Sequence, residues 1–511
     1  MVDEVNHSTV MKNEKLGRYL VANKYLDGGE LIFTDTPFTV GPKPGKYILS
    51  IKLNFVFSPD SPPLCLSCYC PVINVVCSRC HWPICSEACE ASPQHAGECD
   101  VFSSVKVRFQ PVKDWTASAP QLDCITPLRL LLAKEENPDR WQRELLAMET
   151  HKEARQLRPL WNVDQNNIVN FLVDHCKLGN RFSKELVQHV CGILEVNAVE
   201  IPSCGGFSIR AIYPRLSIAA HSCVPNIVHT ILQNDFRVEI RAAVPIQCGE
   251  TLHLCYTHVL AQTISRREYL RESKFFDCDC PRCADPTELG THLSTIWCTK
   301  CGKGMVLSTN PLGIFFLNKS PRCNENKCQF KQQGKSVRKM LAAVQEEIDQ
   351  MEALESGQQA IAQREATLHK YKATFHPCHS LLLSMKYTLA QLYGRVGDYR
   401  IHELPGETLK RKAKFCRLVL DTLKVIAPGD TRMRGMMLYE LHAPVTCLAR
   451  NDFNMGLITR DKLKEKLEEP LQCLKDAARI LLREDANSVE GIMGQIAQQS
   501  MRQLEDSVNS L

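Results

Sequence analysis

The stretch that decides the fold is residues 217–226, which read SIAAHSCVPN. Two further segments follow it: residues 249–256 read GETLHLCY, and residues 278–283 read CDCPRC. The last segment places three cysteines within six residues, and this close spacing is typical of metal ligands. The rest of the chain is arranged before, between or after these three segments.

The composition is that of an ordinary globular protein. The chain has 511 residues, of which 44% are hydrophobic and 23% charged, with a formal net charge of +5, so several domains or one domain with large insertions are expected. No long basic run is present, and charge therefore gives no support to nucleic-acid binding. The first residues lack the basic start and apolar run of a signal peptide, and no apolar run is long enough to cross a membrane. We expect a protein of the cytoplasm, the nucleus or both, with no membrane partner.

The 26 cysteines indicate metal binding rather than disulfides, because thiols inside the cell are kept reduced. Eight candidate ligands fall in four pairs within residues 65–99, enough for two tetrahedral structural zinc sites. A later group has the spacing of a zinc ribbon and predicts one more zinc, with reduced, partly buried cysteines as the alternative. That later group consists of Cys298, Cys301, Cys323 and Cys328.

In their order and spacing, the three core segments closely resemble the core of a SET domain, the fold of lysine methyltransferases. The run at 65–99 resembles a MYND zinc finger, and a finger inserted before the core is the arrangement of the SET and MYND domain-containing family. Within that family the chain looks most like the divergent insect branch, SmydA. The resemblance implies an α+β multidomain protein, divided into an N-terminal part of the SET domain (5–60), the MYND finger (65–99), a helical insertion (100–195), the core SET domain (196–257), a post-SET zinc region with a second cysteine cluster (258–330) and a C-terminal helical, tetratricopeptide-like domain (335–511).

The resemblance also implies how the zinc ligands are grouped. In MYND fingers the first and third ligand pairs share one zinc, and the second and fourth pairs share the other. A third site of the family joins the HSC loop, which contains residues 221–223, to the cysteine knuckle at residues 278–283. The implied sets are Cys65, Cys68, Cys85 and Cys89; Cys77, Cys80, His95 and Cys99; and Cys223, Cys278, Cys280 and Cys283. MYND fingers bind short proline-rich peptides, but Ser92 and Ile84 stand where the family has a tryptophan and an aromatic residue. The resemblance therefore supports zinc binding more strongly than peptide binding.

Tyr256 is the residue that we expect to carry catalysis. Methyl transfer from a sulfonium to an amine is an in-line displacement, which needs a neutral amine, whose free pKa is about 10.4, and close alignment. In the family a phenol at this position lies beside the methyl group and orients the amine. The residues that the resemblance places around S-adenosylmethionine are Gly17, Arg18, Tyr19, Asn197, Ala220, His221, Tyr256 and Phe276.

Two of these positions depart from the family pattern. Residues 15–22 and 28–33 are interpreted as two short strands joined by a glycine turn, in which Tyr19 replaces the second glycine of a GxGL motif. Ala220 stands where the family has an asparagine whose amide holds the amino-acid end of the cofactor. Loss of one hydrogen bond costs roughly 0.5–1.5 kcal/mol, which weakens cofactor binding without abolishing it.

Four of the site residues also have a purely structural interpretation. Tyr256 and Phe276 are aromatic residues that could pack in a core, and His221 could be a buried, hydrogen-bonded histidine that contacts nothing else. Asn197 has a residue type common in turns and caps. Their functional interpretation rests on the surrounding motifs.

The C-terminal third is predicted to be helical. Its clearest amphipathic pattern comprises Val337, Leu341, Val344, Ile348 and Met351, and another helix runs through Met385, Leu389 and Leu392. Helix pairs of this kind suggest a tetratricopeptide-like array. The basic run at 410–414 is interpreted as a solvated helix face, with binding of an acidic partner as the alternative.

Two functional hypotheses follow. The first is a zinc-containing, S-adenosylmethionine-dependent protein-lysine methyltransferase, acting on a protein or peptide that carries the target lysine, with activity lowered by the two departures. The second is a catalytically decayed interaction protein on the same scaffold, which recruits partners for transcriptional regulation through its finger and helical array.

Overall fold

The computed structural model describes residues 5–44, 62–112, 119–203, 205–313, 320–352, 357–396 and 400–511. Residues 45–60, which the sequence assigns to the N-terminal part of the SET domain, lie outside these ranges. Short parts of the predicted insertion, post-SET and C-terminal segments also lie outside them.

The described residues form thirteen short strands in five small sheets. In chain order they are β1 (Ser8–Asn13), β2 (Gly17–Ala22), β3 (Leu31–Asp35), β4 (Thr39–Pro42), β5 (Val199–Pro202), β6 (Ser208–Ile212), β7 (Ala220–His221), β8 (Ile227–Ile231), β9 (Val238–Ala242), β10 (His253–Leu254), β11 (Ile296–Trp297), β12 (Met305–Leu307) and β13 (Arg322–Cys323).

Strands from both sides of the zinc finger pair with one another. One sheet has the order β3-β9-β8 and another the order β4-β6-β5, all antiparallel. The central strand β9, VEIRA, alternates fully and partly buried residues, which is the period of two that a strand with one core face requires. The N-terminal segment and the later core are therefore one folding unit despite the finger between them.

The predicted pairing of the two N-terminal strands is wrong. β2 pairs with β1, from Asn13 opposite Gly17 to Ser8 opposite Ala22, whereas β3 pairs with β9. The prediction overlooked β1 because five of its six residues are exposed, so it carries no alternating apolar pattern. Burial of Leu20, Ile32 and Phe33 places the two predicted strands in one core without pairing them directly.

Sixteen α-helices complete the described chain. They are α1 (Glu87–Glu90), α2 (Pro93–Val105), α3 (Ile125–Glu136), α4 (Pro138–Arg140), α5 (Lys152–Gln156), α6 (Pro159–Asp164), α7 (Lys184–Asn197), α8 (Thr263–Ser273), α9 (Pro281–Ala284), α10 (Gly334–Glu352), α11 (Gln358–Tyr371), α12 (Ser380–Leu392), α13 (Gly406–Ile426), α14 (Arg432–Asn454), α15 (Arg460–Leu481) and α16 (Val489–Asn509). None of the described helices is both long and apolar enough to cross a membrane.

The finger shares its core with the helices and sheets beside it. Tyr69 and Trp82 of the finger are buried in the cluster that also contains the strands of the SET-like half and the helices of the insertion. Arg129 of α3 joins the parts by donating to the Tyr69 hydroxyl (2.7 Å), to the Val40 carbonyl (3.1 Å) and to Glu98 of α2. Five donors on one guanidinium can satisfy several acceptors at once, so this single side chain fixes the finger against the sheet.

The C-terminal helices α13 to α16 pack one on the next. The basic run at 410–414 was predicted to be solvated, but Lys412 is buried: its amine donates to Glu440 (2.6 Å) and to the Tyr393 carbonyl (3.0 Å). A buried charge requires such partners. One lysine of this run therefore holds α13 to α14 instead of facing solvent.

The helical array contacts the SET-like half directly. The Asp430 amide donates to the carbonyl of Ala243, at the end of β9, at 2.8 Å. Gly429 has a positive φ of 80°, and a Cβ added to it would lie 1.8 Å from that same carbonyl oxygen. Only glycine allows this approach.

Candidate active site and metal centres

Four groups of cysteine and histidine donors lie together in the described residues, and within each group the donor atoms lie within 4.8 Å of one another. The first three groups contain the same residues as the sets implied by the sequence. They are Cys65, Cys68, Cys85 and Cys89; Cys77, Cys80, His95 and Cys99; Cys223, Cys278, Cys280 and Cys283; and Cys298, Cys301, Cys323 and Cys328.

Sulfur–sulfur separations in these groups match a tetrahedral zinc site. Zn–S bonds of about 2.3 Å place neighbouring sulfurs about 3.8 Å apart. Cys77 and Cys99 have Sγ atoms 3.7 Å apart, and Cys68 and Cys85 have Sγ atoms 3.5 Å apart. His95 directs Nε2 towards Cys80 (3.4 Å) and Nδ1 towards Glu98 (3.3 Å). A carboxylate behind the second ring nitrogen is the usual support of a zinc-bound histidine.

The third group connects the HSC loop to the knuckle. Sγ of Cys223 lies 3.5 Å from that of Cys283 and 3.9 Å from that of Cys278. Arg266 of α8 donates from Nε to Sγ of Cys223 at 3.2 Å, and Arg282 donates to the Cys223 carbonyl at 3.1 Å. Cationic donors stabilise the thiolate form that a metal needs.

A buried carboxylate balances these two arginines. Glu288 accepts from Arg266 (2.6 Å) and from Arg282 (3.0 Å), and all three side chains are at most 1% exposed. Burial alone would raise the pKa of Glu288, but the two guanidinium charges lower it to about 2. The sequence analysis missed this triad. The signal that could have revealed it is Arg282 itself, because a cation between two metal ligands requires an acidic partner.

The fourth group lies in the small sheet β11-β12-β13. Sγ of Cys298 is 3.7 Å from that of Cys328, and Sγ of Cys301 is 3.7 Å from that of Cys323. The Gly304 amide donates to Cys301 Sγ at 3.3 Å, a contact that favours a thiolate. This geometry fits a fourth zinc better than the alternative of ordinary reduced cysteines.

The HSCxPN and GExLxxxY segments meet in the structure. Strands β7 and β10 run parallel, with Ala220 beside His253 and His221 beside Leu254. Asn226 fastens the two segments: its Oδ1 accepts from the His253 amide (2.7 Å) and its Nδ2 donates to the Thr251 carbonyl (2.9 Å). The asparagine of the motif therefore joins the two segments through the backbone of Thr251 and His253 and through the side chain of Glu250.

Tyr256 and His221 form the centre of the candidate site. The Tyr256 amide donates to Nδ1 of His221 at 3.0 Å, the two ring centroids are 5.1 Å apart, and the Tyr256 hydroxyl donates to the Ala219 carbonyl. Burial raises the pKa of Tyr256 to about 12 and lowers that of His221 to about 4. Both rings are therefore neutral near pH 7.

Two more of the predicted cofactor residues border this centre. The Phe276 ring centroid lies 5.8 Å from that of His221, and its side chain is partly exposed. Asn197, the last residue of α7, donates to the carbonyls of Glu149 (2.9 Å) and Ile193 (3.0 Å). Its own carbonyl accepts from Ser217, the first residue of the deciding stretch, at 3.3 Å.

The other predicted cofactor residues are placed as follows. Ala220 is buried in β7 and has no side-chain amide to offer. Gly17 and Tyr19 lie in the β1-β2 hairpin, Gly17 with a positive φ of 65° at the turn and Tyr19 opposite Met11. Arg18 reaches into the insertion and donates to the Ala147 carbonyl at 3.0 Å. Among the predicted cofactor residues, ring contacts therefore join His221 to Tyr256 and to Phe276.

Lys274 also belongs to this cluster, although the sequence analysis did not select it. Its Nζ lies 5.6 Å from the Tyr256 ring centroid and donates to the Val196 carbonyl at 2.5 Å. Burial lowers the pKa of Lys274 to about 8. A lysine just after a helix usually faces solvent, so no local pattern marks this residue.

Comparison with known proteins found relatives but no matching family model. SmydA-8 isoform A, a SET domain-containing protein of Drosophila melanogaster, is 31% identical over 308 residues, or 58% of this chain and 61% of that protein. The histone-lysine N-methyltransferase SMYD3 of Mus musculus is 27% identical over 231 residues (40% and 48%), and the N-lysine methyltransferase SMYD2 of Gallus gallus is 28% identical over 219 residues (40% and 47%). The chain thus matches between about half and three fifths of these relatives' length.

Solved structures similar to this chain were also found. One of them is the SET domain of LSMT bound to lysine and AdoHcy, with a TM-score of 0.27 and 11% sequence identity over 100% of this chain and 89% of that chain. Similarity at this level supports no argument about the fold or the site.

Proposed function

We propose that this chain, which is similar to SmydA-8 of Drosophila melanogaster and to SMYD3 of Mus musculus, is an S-adenosylmethionine-dependent protein-lysine N-methyltransferase of the SET and MYND domain-containing family. The division into segments and the catalytic and cofactor-binding residues named from the sequence are part of this proposal. The observation that carries it is the neutral Tyr256 phenol, held by the Ala219 carbonyl where the two motif segments meet.

The residues present fit the cofactor in part. S-adenosylmethionine supplies a methyl group on a sulfonium cation, together with an amino acid and an adenosine. The neutral rings of His221, Tyr256 and Phe276 offer apolar surface with a few polar atoms, the mixture that such a ligand takes. The Asn197 side chain contributes at most its oxygen, because its nitrogen already donates to two backbone carbonyls. Ala220 leaves one expected donor out. The structure therefore supports binding of the cofactor with one hydrogen bond fewer.

Tyr256 is proposed to orient the substrate amine. Its hydroxyl proton is used by the Ala219 carbonyl, so the phenol oxygen offers lone pairs that can accept from an amine N–H. Since its pKa is raised to about 12, the phenol remains protonated and is not a general base near pH 7. Its contribution is alignment of the amine.

Burial of the amine supplies the neutral nucleophile. Lys274, which lies over the same ring, has its pKa lowered to about 8 by burial. A substrate lysine entering beside Tyr256 would experience the same environment and release its proton more easily than in water.

The substrates and partners are proposed by class. The substrate is a protein or peptide that presents a lysine, in the cytoplasm, the nucleus or both. The finger exposes apolar side chains at Ile73, Val75 and Val76, which could contact a short proline-rich peptide. Ser92, at the position where the family has a tryptophan, is used instead as the N-cap of α2.

A second function has one observation in its favour. Ala220 removes a cofactor contact, and a site that fails to bind cofactor would leave the finger and the helical array as a scaffold for partners, for instance in transcriptional regulation. The two functions differ in whether cofactor binds.

The test is calorimetric titration of the zinc-loaded chain with S-adenosylmethionine and S-adenosylhomocysteine. We expect micromolar binding of both, and an absence of heat at millimolar cofactor would reject the enzyme in favour of the scaffold. Tyr256→Phe should keep cofactor binding and lose methyl transfer. Tyr387→Phe removes a half-buried hydroxyl of α12 that lies against Met436 of α14, and should keep both.

A further inference from the structure

The amine of Lys274 lies inside the candidate site. Nζ stands over the Tyr256 ring, 5.6 Å from its centroid, and donates to the Val196 carbonyl, one residue before Asn197. It thus lies between the ring of Tyr256, which is proposed to orient the substrate amine, and the Val196 carbonyl. A lysine amine is also the group on which the proposed reaction acts.

The turn that presents Lys274 is held from several sides. Phe275, the next residue, has a positive φ of 61°, which is rare for a bulky side chain. The guanidinium of Arg158 lies 4.0 Å from the Phe275 ring centroid and donates to the last carbonyls of α8, and His151 stacks on the same ring at 4.8 Å. An unfavourable backbone conformation persists only when its surroundings enforce it. The direction of Lys274 is therefore fixed by its neighbours.

Lys274 has no acidic partner among the described residues: its contacts are a carbonyl and a ring face. The neutral amine of Lys274 can also make both contacts. Burial lowers the pKa of this amine to about 8, so a useful fraction of it is neutral and nucleophilic near physiological pH. Buried charged groups are normally paired with an opposite charge, and Lys274 differs from that pattern.

We propose that Lys274 is a methyl acceptor, and that the chain methylates this residue within its own active site. The inference rests on the proposed function. The neutral Nζ shares its lone pair with the methyl carbon of S-adenosylmethionine as the bond from that carbon to sulfur breaks. Sulfur keeps the bonding electrons and leaves as the neutral thioether S-adenosylhomocysteine. The methylammonium formed then releases one proton to solvent to become the neutral secondary amine.

The experiment uses the full zinc-loaded chain and S-adenosylmethionine with a deuterated methyl group, with no other substrate added. Peptide mass spectrometry should locate the label on Lys274. Because the reaction occurs within one chain, the fraction labelled per unit time should not change when the protein is diluted tenfold. Lys274→Arg keeps the charge and should abolish the label. Lys15→Arg alters an exposed lysine that pairs with Asp279 of the knuckle and should leave the label in place.

A binding measurement tests the position of the amine without any turnover. S-adenosylmethionine carries a sulfonium charge that S-adenosylhomocysteine lacks. Lys274→Met removes a cation beside that charge and should tighten S-adenosylmethionine relative to S-adenosylhomocysteine by roughly tenfold, for charges about 6 Å apart in a partly hydrated site. Equal changes in affinity for the two ligands would place the amine away from the sulfonium and overturn the proposal.

The outcomes separate this inference from the proposed function. Cofactor binding and labelling of added histones or peptides, with no label on Lys274, would overturn self-methylation and leave the enzyme standing. Label found only on other lysines, and unchanged in Lys274→Arg, would also overturn self-methylation and leave the enzyme standing. Failure to bind either cofactor would remove both proposals. Label confined to Lys274, at a rate independent of dilution, is the result that supports them together.

Discussion

Replacement of Glu288 by glutamine should weaken the candidate metal centre formed by Cys223 and the three cysteines of residues 278–283. Glu288 is 1% exposed and accepts from the side chains of Arg266 and Arg282, while its other oxygen accepts from the Thr263 amide at 3.0 Å. Glutamine preserves the size of the side chain and removes its charge. The two arginines, which donate to Cys223, would then be buried without the carboxylate that offsets their charge.

The magnitude follows from the burial of the pair. Breaking a buried ion pair by removing one partner costs about 3–5 kcal/mol, because the other charge remains in a poorly solvating environment. The pKa of Glu288, lowered to about 2 by the two arginines, indicates a coupling of similar size, about 3 kcal/mol. At 1.4 kcal/mol per factor of ten, a local opening of the knuckle should become at least a hundredfold more frequent.

The assay is the rate of zinc release to excess chelator, followed with a metal-sensitive dye, since a chain of several packed units does not unfold in one step. Hydrogen exchange over residues 260–295 should accelerate in parallel. Glu469→Gln is the matched control: the same chemical change in a pair with Arg417 that is 48% exposed on each side, where the expected cost is below about 1 kcal/mol. Equal zinc-release rates for the two variants would refute the reasoning.

Three further outcomes are expected. Burial raises the pKa of Asp35 to about 6, so its contribution to the free energy of unfolding is present below pH 4 and is lost as the pH rises to 6. Asp35→Asn should remove up to about 3 kcal/mol of this pH dependence. Parallel curves of stability against pH for the two proteins would contradict this. Gly429→Ala should lower the melting temperature more than Gly456→Ala. Both glycines have a positive φ, which costs an alanine about 1–2 kcal/mol of backbone strain. Only at Gly429 would the added Cβ also collide with the Ala243 carbonyl, because the space around Gly456 is open. Elemental analysis should find four zinc ions per chain in the unaltered protein and three in Cys301→Ser. Three zinc ions in both proteins would show that the group of Cys298, Cys301, Cys323 and Cys328 binds no zinc.

The zinc ligands could be read from the sequence because their spacing reflects a local requirement. Pairs such as Cys65 and Cys68 are two or three residues apart wherever one turn must offer two donors to a single ion. Which pairs share an ion was implied only by the resemblance, and the structure brings the same sets together. The ribbon cysteines left alternatives open because Cys323 and Cys328 are more widely spaced.

Features formed by residues distant in the chain could not be read in this way. The partner of β2 is an exposed strand without a pattern, and so its pairing was assigned to the wrong neighbour. Lys412 looked solvated because its partner Glu440 lies on the next helix. Lys274 reaches Tyr256 only because the turn after α8 directs it inwards. In each case the deciding contact depends on tertiary structure that no local window of sequence contains.

The way in which Arg129 clamps the finger has a practical consequence. Tyr69 and Trp82 are buried against the remainder of the protein, so the finger expressed alone would expose an apolar face. Binding screens with the isolated finger would then detect partners of a surface that the intact chain covers itself. In the intact protein Arg129 ties the finger to the sheet, so under the proposed function a partner bound to its outer surface would present its lysine at a constant distance from Tyr256. Such partners would have the same number of residues between the motif that the finger binds and the lysine that is methylated.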